Sequence, residues 1–374
     1  MRKTTFLLLL LVLSLLPAVR AAEYPLKQTF EPYITNGDLP GFMTIIADKD
    51  GIVQTDVFGF QNVEKQEPWT MDTVFWIASQ SKPFVGVAVM MLVEENKLSL
   101  TEPLSTYVRE FADVRVVAER NEKQTLLVPV ERPLTLEHLM THSSGLPPDP
   151  LSHRRQGLEA ASLDTTLTLA LITPLEAQPG TKSIYSNFGI DTAAAIVARV
   201  ARMPFEDFIQ QRILDPLGMK DTTFWPTLEQ QARHATVYRL DKETEKIVPH
   251  RLGLIHPLED RHKRFAEAGG GLFSTPTDLT RFFRMLLNKG ELDGKRLLKE
   301  ESVVEMAKIR LDPAFASGIG VRTNREGVFG HNGAAATQAY INWNKNYTSL
   351  FFAQFANIPK GNEARDKFYK LMNE

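Results

Sequence analysis

The chain has 374 residues, of which 43% are hydrophobic and 24% charged, a composition typical of a globular protein with a sizeable core. Its formal net charge of −2 provides no basic field for nucleic acid or anionic lipid, so we expect neither as a partner. The chain has no cysteine, which excludes disulfides and thiol nucleophiles. Its 8 histidines are scattered along the chain, and we predict no metal site.

The amino terminus is typical of a secretory signal peptide. Arg2 and Lys3 precede an apolar run over residues 6–16, and small residues follow around Ala21. We expect cleavage after residues 1–21, which predicts a secreted or periplasmic protein with no stable membrane span and no lipid-bearing cysteine. An uncleaved membrane anchor is the alternative, but the apolar run is shorter than the roughly 20 residues that a spanning helix needs.

The first predicted elements after this leader are two β-strands. Residues 42–47 and 52–60 are rich in β-forming residues, and the Asp50-Gly51 pair between them suits a tight hairpin turn. From Pro83 the chain is apolar nearly all round, which predicts a largely buried helix. Residues from about 100 to 257 are predicted to form helices joined by proline-rich loops.

The last part of the chain predicts a capped helix, a hairpin and a terminal helix. Thr275 is the expected N-cap, Pro276 takes the first helical position, and Gly290 follows the helix end. The turn residues 344–346 lie between two β-rich runs, which indicates a hairpin. An amphipathic helix is predicted from about residue 363 to 372.

These elements predict an α+β fold. Strands at both chain ends would form one antiparallel sheet flanked by helices, with a mainly helical region inserted between them. We therefore expect a sheet domain over residues 22–75 and 258–374 and a mainly helical domain over residues 76–257. A catalytic cleft would lie between the two.

The first candidate for chemistry is Ser79-Gln80-Ser81-Lys82, where the buried helix begins. Residues separated by three positions share a helix face, so the Lys82 amine can reach the Ser79 hydroxyl. A partly desolvated lysine can accept a proton, and free N–H groups at a helix start favour an oxyanion. The alternative is an ordinary helix start, where serine is common.

The second candidate is Tyr185-Ser186-Asn187, in a loop that follows a Pro-Gly pair. A tyrosine phenol beside a lysine ammonium can pass a proton between a serine and a leaving group. Asn187 offers an amide that can hold a substrate amide. The alternative is that Tyr185 and Asn187 are ordinary loop residues.

The third candidate is Gly330-His331-Asn332-Gly333-Ala334, on a predicted strand. Glycine in a strand marks the close approach of another backbone or of a ligand. The N–H of Ala334 can pair with that of Ser79 as an oxyanion hole. His331 can orient a substrate or assist proton transfer, and its alternative is a structural role.

Together, in this order, the three candidates resemble the serine β-lactamase and penicillin-binding DD-peptidase superfamily, in particular its class C branch, which includes esterases. The resemblance extends from about residue 28 to 356 and includes "LTLEHLMTHSSGLP", "ILDPLGMKDTTF" and "AGGGLFSTPTDLTRFF". It implies a β-lactamase/transpeptidase-like fold and an acyl-serine mechanism without a cofactor. Ser79 would be the nucleophile, Lys82 and Tyr185 would move its proton, and the N–H groups of Ser79 and Ala334 would bind the oxyanion.

The resemblance also implies that Asn187, His331, Asn332 and Gly333 contact the substrate. Here His331-Asn332-Gly333 replaces the Lys-Thr-Gly of class C β-lactamases, which removes a permanent cation and a hydroxyl. We therefore expect a serine hydrolase that acts on a small molecule or peptide, at an ester or D-amino-acid amide bond. The alternatives are a true β-lactamase, a penicillin or wall-fragment sensor that is acylated without turnover, and an inactive scaffold.

Three other features are expected to be structural. His138 and His142 are predicted to cap or pack at a helix end. The glycines at 269–271 lack the spacing of a phosphate loop and are predicted to let the chain turn beside the cleft. The glycosylation-like sequence that begins at Asn346 is explained by turn chemistry.

Overall fold

The computed structural model describes residues 24–149, 162–252, 258, 264–310 and 317–374. The expected signal peptide at residues 1–21 lies outside this part of the chain. Within the described part, no helix is both long enough and apolar enough to cross a membrane.

Eleven α-helices are described, together with short 3-10 turns and one π-helical segment at Gln210–Leu214. The helices are α1 (Leu26–Thr35), α2 (Lys82–Glu94), α3 (Leu136–Met140), α4 (Leu163–Ile172), α5 (Asn187–Ala201), α6 (Phe205–Ile209), α7 (Asp215–Leu217), α8 (Leu228–Ala232), α9 (Pro276–Leu287), α10 (Glu300–Ala307) and α11 (Pro359–Asn373).

The described strands form one large sheet and several short ones. They are β1 (Gly41–Ala47), β2 (Ile52–Gly59), β3 (Phe75–Trp76), β4 (Arg115–Arg120), β5 (Thr125–Pro129), β6 (Tyr238–Leu240), β7 (Ile247–Pro249), β8 (Phe273–Ser274), β9 (Glu291–Leu292), β10 (Lys295–Arg296), β11 (Arg322–Arg325), β12 (Val328–Asn332), β13 (Gln338–Asn342), β14 (Tyr347–Phe352) and β15 (Phe355–Ala356).

The main sheet is antiparallel and has six strands in the order β11-β12-β13-β14-β1-β2. β1 pairs with β14, so that Ile45 lies opposite Leu350 and the two ends of the chain meet at the centre of the sheet. The predicted α+β fold, with a sheet built from both chain ends, is confirmed.

The main sheet is covered on both faces. Every residue of β1 is buried, and successive side chains point to opposite faces. Ile45 belongs to the large core that includes α2, whereas Ile46 packs in a second core with Phe30 of α1 and Phe368 of α11. The strand therefore forms a layer between two sets of helices.

Local sequence signals explain the ends of several elements. The Asp48 carboxylate accepts the N–H groups of Asp50 and Gly51 at 2.8 and 2.9 Å and so closes the turn between β1 and β2. Thr275 caps α9 by accepting the N–H of Asp278 at 3.2 Å. Asn346, in the turn between β13 and β14, has a φ of 55°, which asparagine tolerates well. Both predicted hairpins and the capped helix are present.

The interpretation of residues 100–257 as helices alone is wrong in two places. β4 and β5 form a hairpin, and β6 and β7 form a second one. β6 also pairs in parallel with β15, close to the end of the chain. β4 and β5 are largely exposed, and β6 and β7 have three residues each, so neither hairpin shows the apolar pattern of a buried strand. The division into two domains stays a prediction.

Helix α2 connects the sheet to the helical region. It is apolar nearly all round and is buried over most of its length, as its sequence predicts. Phe84, in its first turn, stacks on Phe282 of α9 with ring centroids 3.8 Å apart and an interplanar angle of 13°. This contact fixes the end of α2 that carries the candidate site.

We expect Phe84→Ala to lower the free energy of unfolding by about 3–5 kcal/mol, because it leaves a cavity at a buried ring. Urea denaturation followed by circular dichroism measures this change. The control is Leu228→Ala, a truncation of a side chain that is 78% exposed, which should change stability by less than about 0.5 kcal/mol. Equal losses for the two variants would contradict this account of the core.

Candidate active site

Ser79 lies in a 3-10 turn, Ala78–Ser81, that leads directly into α2. The turn begins with Ala78 in the left-handed region, at a φ of 49°. Ser79 is half-buried, and no side chain in the described part of the chain hydrogen-bonds its hydroxyl. By contrast, the Ser81 hydroxyl donates to Ala78 O at 2.7 Å and accepts the Leu272 N–H at 3.2 Å. Ser81 therefore holds the turn in place, and Ser79 presents the accessible hydroxyl.

Lys82 is fully buried at the first position of α2. Its Nζ donates to Asn187 Oδ1 at 2.7 Å and to Gly269 O at 2.6 Å. The same Nζ lies 4.8 Å from the centre of the Tyr185 ring. The structure thus brings together the predicted Lys82, Tyr185 and Asn187, although the chain separates Lys82 from Asn187 by 105 positions.

Asn187 and Tyr185 owe their positions to the start of α5. The N-cap of this helix is Ser186, whose hydroxyl accepts the Gly189 N–H at 2.9 Å and donates to Pro147 O at 2.6 Å. Asn187 is consequently the first helical residue, and Tyr185 lies just outside the helix with 44% of its surface exposed. A partly exposed phenol beside a buried lysine can exchange protons with a bound substrate.

The His142 ring packs against the Tyr185 ring. The two ring centroids lie 4.4 Å apart, and His142 Nδ1 accepts the Ser186 N–H at 3.2 Å. Burial, aided by the positive charge of Lys82, lowers the pKa of His142 to about 3. The sequence predicts that His142 caps or packs; it does pack, but against the candidate tyrosine. His138 forms a capping box with Thr135, as expected of a capping residue.

His331 lies buried on β12, with its ring 6.3 Å from that of Tyr185. Burial and the nearby Lys82 charge hold the pKa of His331 well below its usual value, so the ring is neutral at pH 7. Its Nδ1 lies 2.7 Å from Asn332 O. Because a carbonyl oxygen only accepts, Nδ1 carries the hydrogen and Nε2 remains an acceptor.

The end of β12 packs directly against the turn that holds Ser79. A Cβ on Gly333 would come within 2.5 Å of Ile77 O and would also collide with the Thr337 hydroxyl. Only glycine allows this approach. In the described residues, no backbone carbonyl accepts the N–H of Ser79. The same is true of the N–H of Ala334, the residue after Gly333. Asn332 Oδ1 is buried and has no hydrogen-bond partner in the same part of the chain.

The glycines at 269–271 lie against the site, and each of their carbonyls accepts a hydrogen bond. The carbonyl of Gly269 accepts from Lys82, that of Gly270 from Trp76 Nε1 at 2.6 Å, and that of Gly271 from Arg264 at 2.7 Å. The sequence predicts only that these glycines let the chain turn beside the cleft. Their contact with the lysine depends on folding and has no local signal.

Asp191 is a further polar group that the sequence analysis does not select. It lies on α5, one helical turn after Asn187, and only 5% of its surface is exposed. Its Oδ1 accepts the Gly269 N–H at 2.8 Å. A charged residue within the apolar sequence "NFGIDTAAAIVA" is the signal that could have identified it.

The family that the sequence matches agrees with this geometry. The β-lactamase family matches residues 26–372, nearly all of the described chain. The chain belongs to the β-lactamase family. The expectation of a β-lactamase-related serine hydrolase is thereby confirmed.

Named relatives of this hydrolase include proteins of different activities. Protein Rv1367c of Mycobacterium tuberculosis is 36% identical over 281 residues, which are 74% of this chain and 69% of that protein. The lovastatin esterase of Penicillium rubens is 32% identical over 300 residues, with 77% of this chain and 73% of the esterase covered. A putative D-alanyl-D-alanine carboxypeptidase of Salmonella agona is 26% identical, with 75% and 67% covered.

Solved structures agree on the fold. A mutant simvastatin synthase, LovD, from Aspergillus terreus superposes with a TM-score of 0.76 at 22% identity and covers 92% of this chain and 95% of its own. The octameric penicillin-binding protein homologue from Pyrococcus abyssi superposes with a TM-score of 0.70 at 25% identity, with 92% and 76% covered. The β-lactamase/transpeptidase-like fold is confirmed.

We expect Gly333→Ala to lower kcat/KM for an ester substrate by about 10-fold or more, because the new methyl group pushes β12 away from the Ser79 turn. Steady-state hydrolysis of a p-nitrophenyl ester measures the effect, and circular dichroism checks the fold. The matched control is Gly51→Ala, where a Cβ meets nothing within 4 Å. A Gly333→Ala enzyme with wild-type kcat/KM would show that this approach does not matter.

A second prediction concerns pH and His142. Because its pKa is about 3 in the folded protein and 6.5 as an ordinary group, the unfolded chain binds the extra proton between these values. The free energy of unfolding therefore falls as the pH drops from about 6.5 toward 3. Asn tolerates the left-handed φ of 59° at this position and offers an oxygen to the Ser186 N–H.

We expect His142→Asn to reduce the loss of stability between about pH 6 and pH 4.5 by roughly 1–2 kcal/mol. Urea denaturation of the wild type and the variant at a series of pH values measures this difference. Parallel pH dependences for the two proteins would contradict the assignment of a neutral, buried His142.

Proposed function

We propose that this hydrolase cleaves an ester or a D-amino-acid amide bond through an acyl-enzyme at Ser79. The observation that carries the proposal is the placement of Lys82. Its Nζ is buried, held by Asn187 Oδ1 and Gly269 O, and faces the Tyr185 ring, while Ser79 lies in the turn immediately before it. We infer that Lys82 and Tyr185 act as the proton acceptors for the Ser79 hydroxyl.

In the proposed acylation step, Ser79 Oγ attacks the substrate carbonyl carbon. Lys82 and Tyr185 take the hydroxyl proton and deliver it to the leaving oxygen or nitrogen as its bond to the carbonyl carbon breaks. The N–H groups of Ser79 and Ala334, which no described carbonyl occupies, would bind the oxyanion of the tetrahedral intermediate. Water then attacks the acyl-serine, releases the acid and returns the proton to Ser79.

The substrate class follows from the chemistry of His331. A lysine at position 331 would supply a permanent cation for a substrate carboxylate, but burial keeps His331 neutral at pH 7. His331 Nε2 is instead an acceptor, suited to an N–H or O–H group of the substrate. The esterase and the putative carboxypeptidase among the relatives support an ester or a D-amino-acid amide.

We also propose that the enzyme acts outside the cytoplasm, on the basis of the amino-terminal sequence. Amino-terminal sequencing of the protein from its native host tests this directly. A mature chain that begins near Ala22 is the expected result, and a chain that retains residues 1–21 would contradict it.

The nucleophile is tested by mass and by rate. We expect a fluorophosphonate to add once to the wild type, and Ser79→Ala to lose the adduct and at least about 10⁴-fold in kcat for p-nitrophenyl esters. Ser81→Ala is the control within the same motif and should still form the adduct, because its hydroxyl is engaged by Ala78 O and the Leu272 N–H. An adduct that persists in Ser79→Ala would refute the proposal.

A substrate panel separates the alternatives. Short-chain esters, D-Ala-D-Ala peptides and nitrocefin are compared with the wild type, Ser79→Ala and His331→Lys. We expect ester or peptide turnover by the wild type and slow nitrocefin turnover. Efficient nitrocefin hydrolysis would instead indicate a true β-lactamase, and a stable penicillin adduct without turnover of any substrate would indicate a sensor.

A further inference from the structure

We propose that Asp191 is a positioning residue that holds Lys82 in place through the backbone of Gly269. The inference depends on the proposed function, because it assigns Lys82 a part in proton transfer. Asp191 itself would touch neither the substrate nor the reacting atoms.

The contact runs through one residue. Asp191 Oδ1 accepts the N–H of Gly269 at 2.8 Å, and the carbonyl of the same Gly269 accepts from Lys82 Nζ at 2.6 Å. The N–H and the carbonyl of Gly269 lie on either side of its Cα, so the Asp191 bond anchors this residue, and packing against Asn187 limits the rotation that remains at its carbonyl. Asp191 therefore determines where one of the two oxygen acceptors of Lys82 lies.

The second acceptor of Lys82 belongs to the same helix face. Asn187 and Asp191 are separated by one turn of α5, so their side chains point in the same direction. Asn187 binds Lys82 Nζ directly, while Asp191 binds it through Gly269. One face of α5 thus sets both hydrogen bonds that orient the lysine.

Close packing leaves Gly269 little room to move. A Cβ on Gly269 would lie 3.2 Å from Asn187 Cβ and 3.3 Å from Asn187 Oδ1. The backbone of Gly269 is therefore in near contact with the side chain that shares its lysine. Loss of the Asp191 hydrogen bond would leave Gly269 held by its packing against Asn187 but no longer anchored at its N–H.

Charge gives Asp191 a second influence on the lysine. The two direct acceptors of Lys82 are neutral oxygens, and burying an ammonium group without a nearby negative charge is costly. Four titratable side chains act on Lys82 or Asp191, namely Glu267, Tyr185, His142 and His331. Arg264 acts on Glu267, and Arg322 acts on both histidines.

The two histidines in this set are neutral at pH 7. Among these residues, the carboxyl groups of Asp191 and Glu267 are the sources of negative charge. Burial and the charge of Glu267 raise the pKa of Asp191, against the opposing effects of the Gly269 N–H and Lys82. Asp191 therefore takes up a proton at a higher pH than an ordinary carboxyl group. Its negative charge toward Lys82 is lost in the same range.

The test uses two variants of the full-length enzyme. Asp191→Asn keeps an oxygen for the Gly269 N–H but removes the charge, whereas Asp191→Ala removes both. The measurements are kcat and KM for a p-nitrophenyl ester from pH 5 to 9, the rate of fluorophosphonate inactivation, and the melting temperature.

We expect Asp191→Ala to lower kcat and the inactivation rate by about 10-fold or more, with KM changed less than about threefold, because the lysine loses its orientation but the substrate contacts remain. We expect Asp191→Asn to retain most of kcat at the optimum. Its acid limb of kcat/KM should move to lower pH, because the proton-accepting groups no longer face a negative charge.

Asp278→Asn is the matched control. Asp278 is also a buried carboxyl group, 3% exposed, but it binds the Asp221 N–H and the Thr222 hydroxyl, away from Lys82. Its substitution should leave the pH dependence of kcat/KM unchanged, even where it lowers the melting temperature.

The outcomes separate this inference from the proposed function. Wild-type kcat and pH dependence in both Asp191 variants, with no activity in Ser79→Ala, would overturn the positioning role alone. Full activity of Ser79→Ala would overturn the proposed function. Failure of Asp191→Asn to fold would also count against the inference, because it would assign Asp191 to the stability of the fold.

Discussion

The burial of the Lys82 ammonium group is the constraint on which the site depends. A buried cation requires oxygen partners, and Lys82 finds them on α5 and in the glycine segment before β8. These two elements must therefore meet at the start of α2. The lysine joins three separate parts of the chain. It is the first residue of α2, directly after the turn that carries Ser79. A hydrophobic residue in its place would bury more easily but would supply no proton acceptor.

The main sheet completes the site from the other side. Because Gly333 directly follows β12, the backbone there comes directly against the residues before Ser79. The same strand carries His331, whose ring is kept neutral by burial and by the charge of Lys82. The lysine thus acts on two sides of the site: it binds α5 and the glycine segment through hydrogen bonds, and its charge adds to the effect of burial in lowering the pKa of His331.

Much of the fold and the candidate nucleophile could be predicted from sequence. Ser79 and Lys82 are three positions apart, so the sequence itself predicts that they lie on one side of a helix start. The hairpins and the cap at Thr275 are also local patterns. The parts that could not be predicted depend on contacts between distant segments. His142 contacts Tyr185 and Asp191 contacts Gly269 only after folding, and the strand β6 gains its partner from the end of the chain.

The pairing of β1 with β14 has a consequence for how the molecule forms. The strand Gly41–Ala47 pairs with Tyr347–Phe352, so the six-stranded sheet cannot be completed until the segment that contains β14 has been synthesised. Joining segments so far apart in sequence makes folding slow, because a long loop must be ordered before the pairing stabilises it. Until then both apolar strands are open to pairing with other chains. The pairing of β1 with β14 can therefore form only late in the synthesis of this protein.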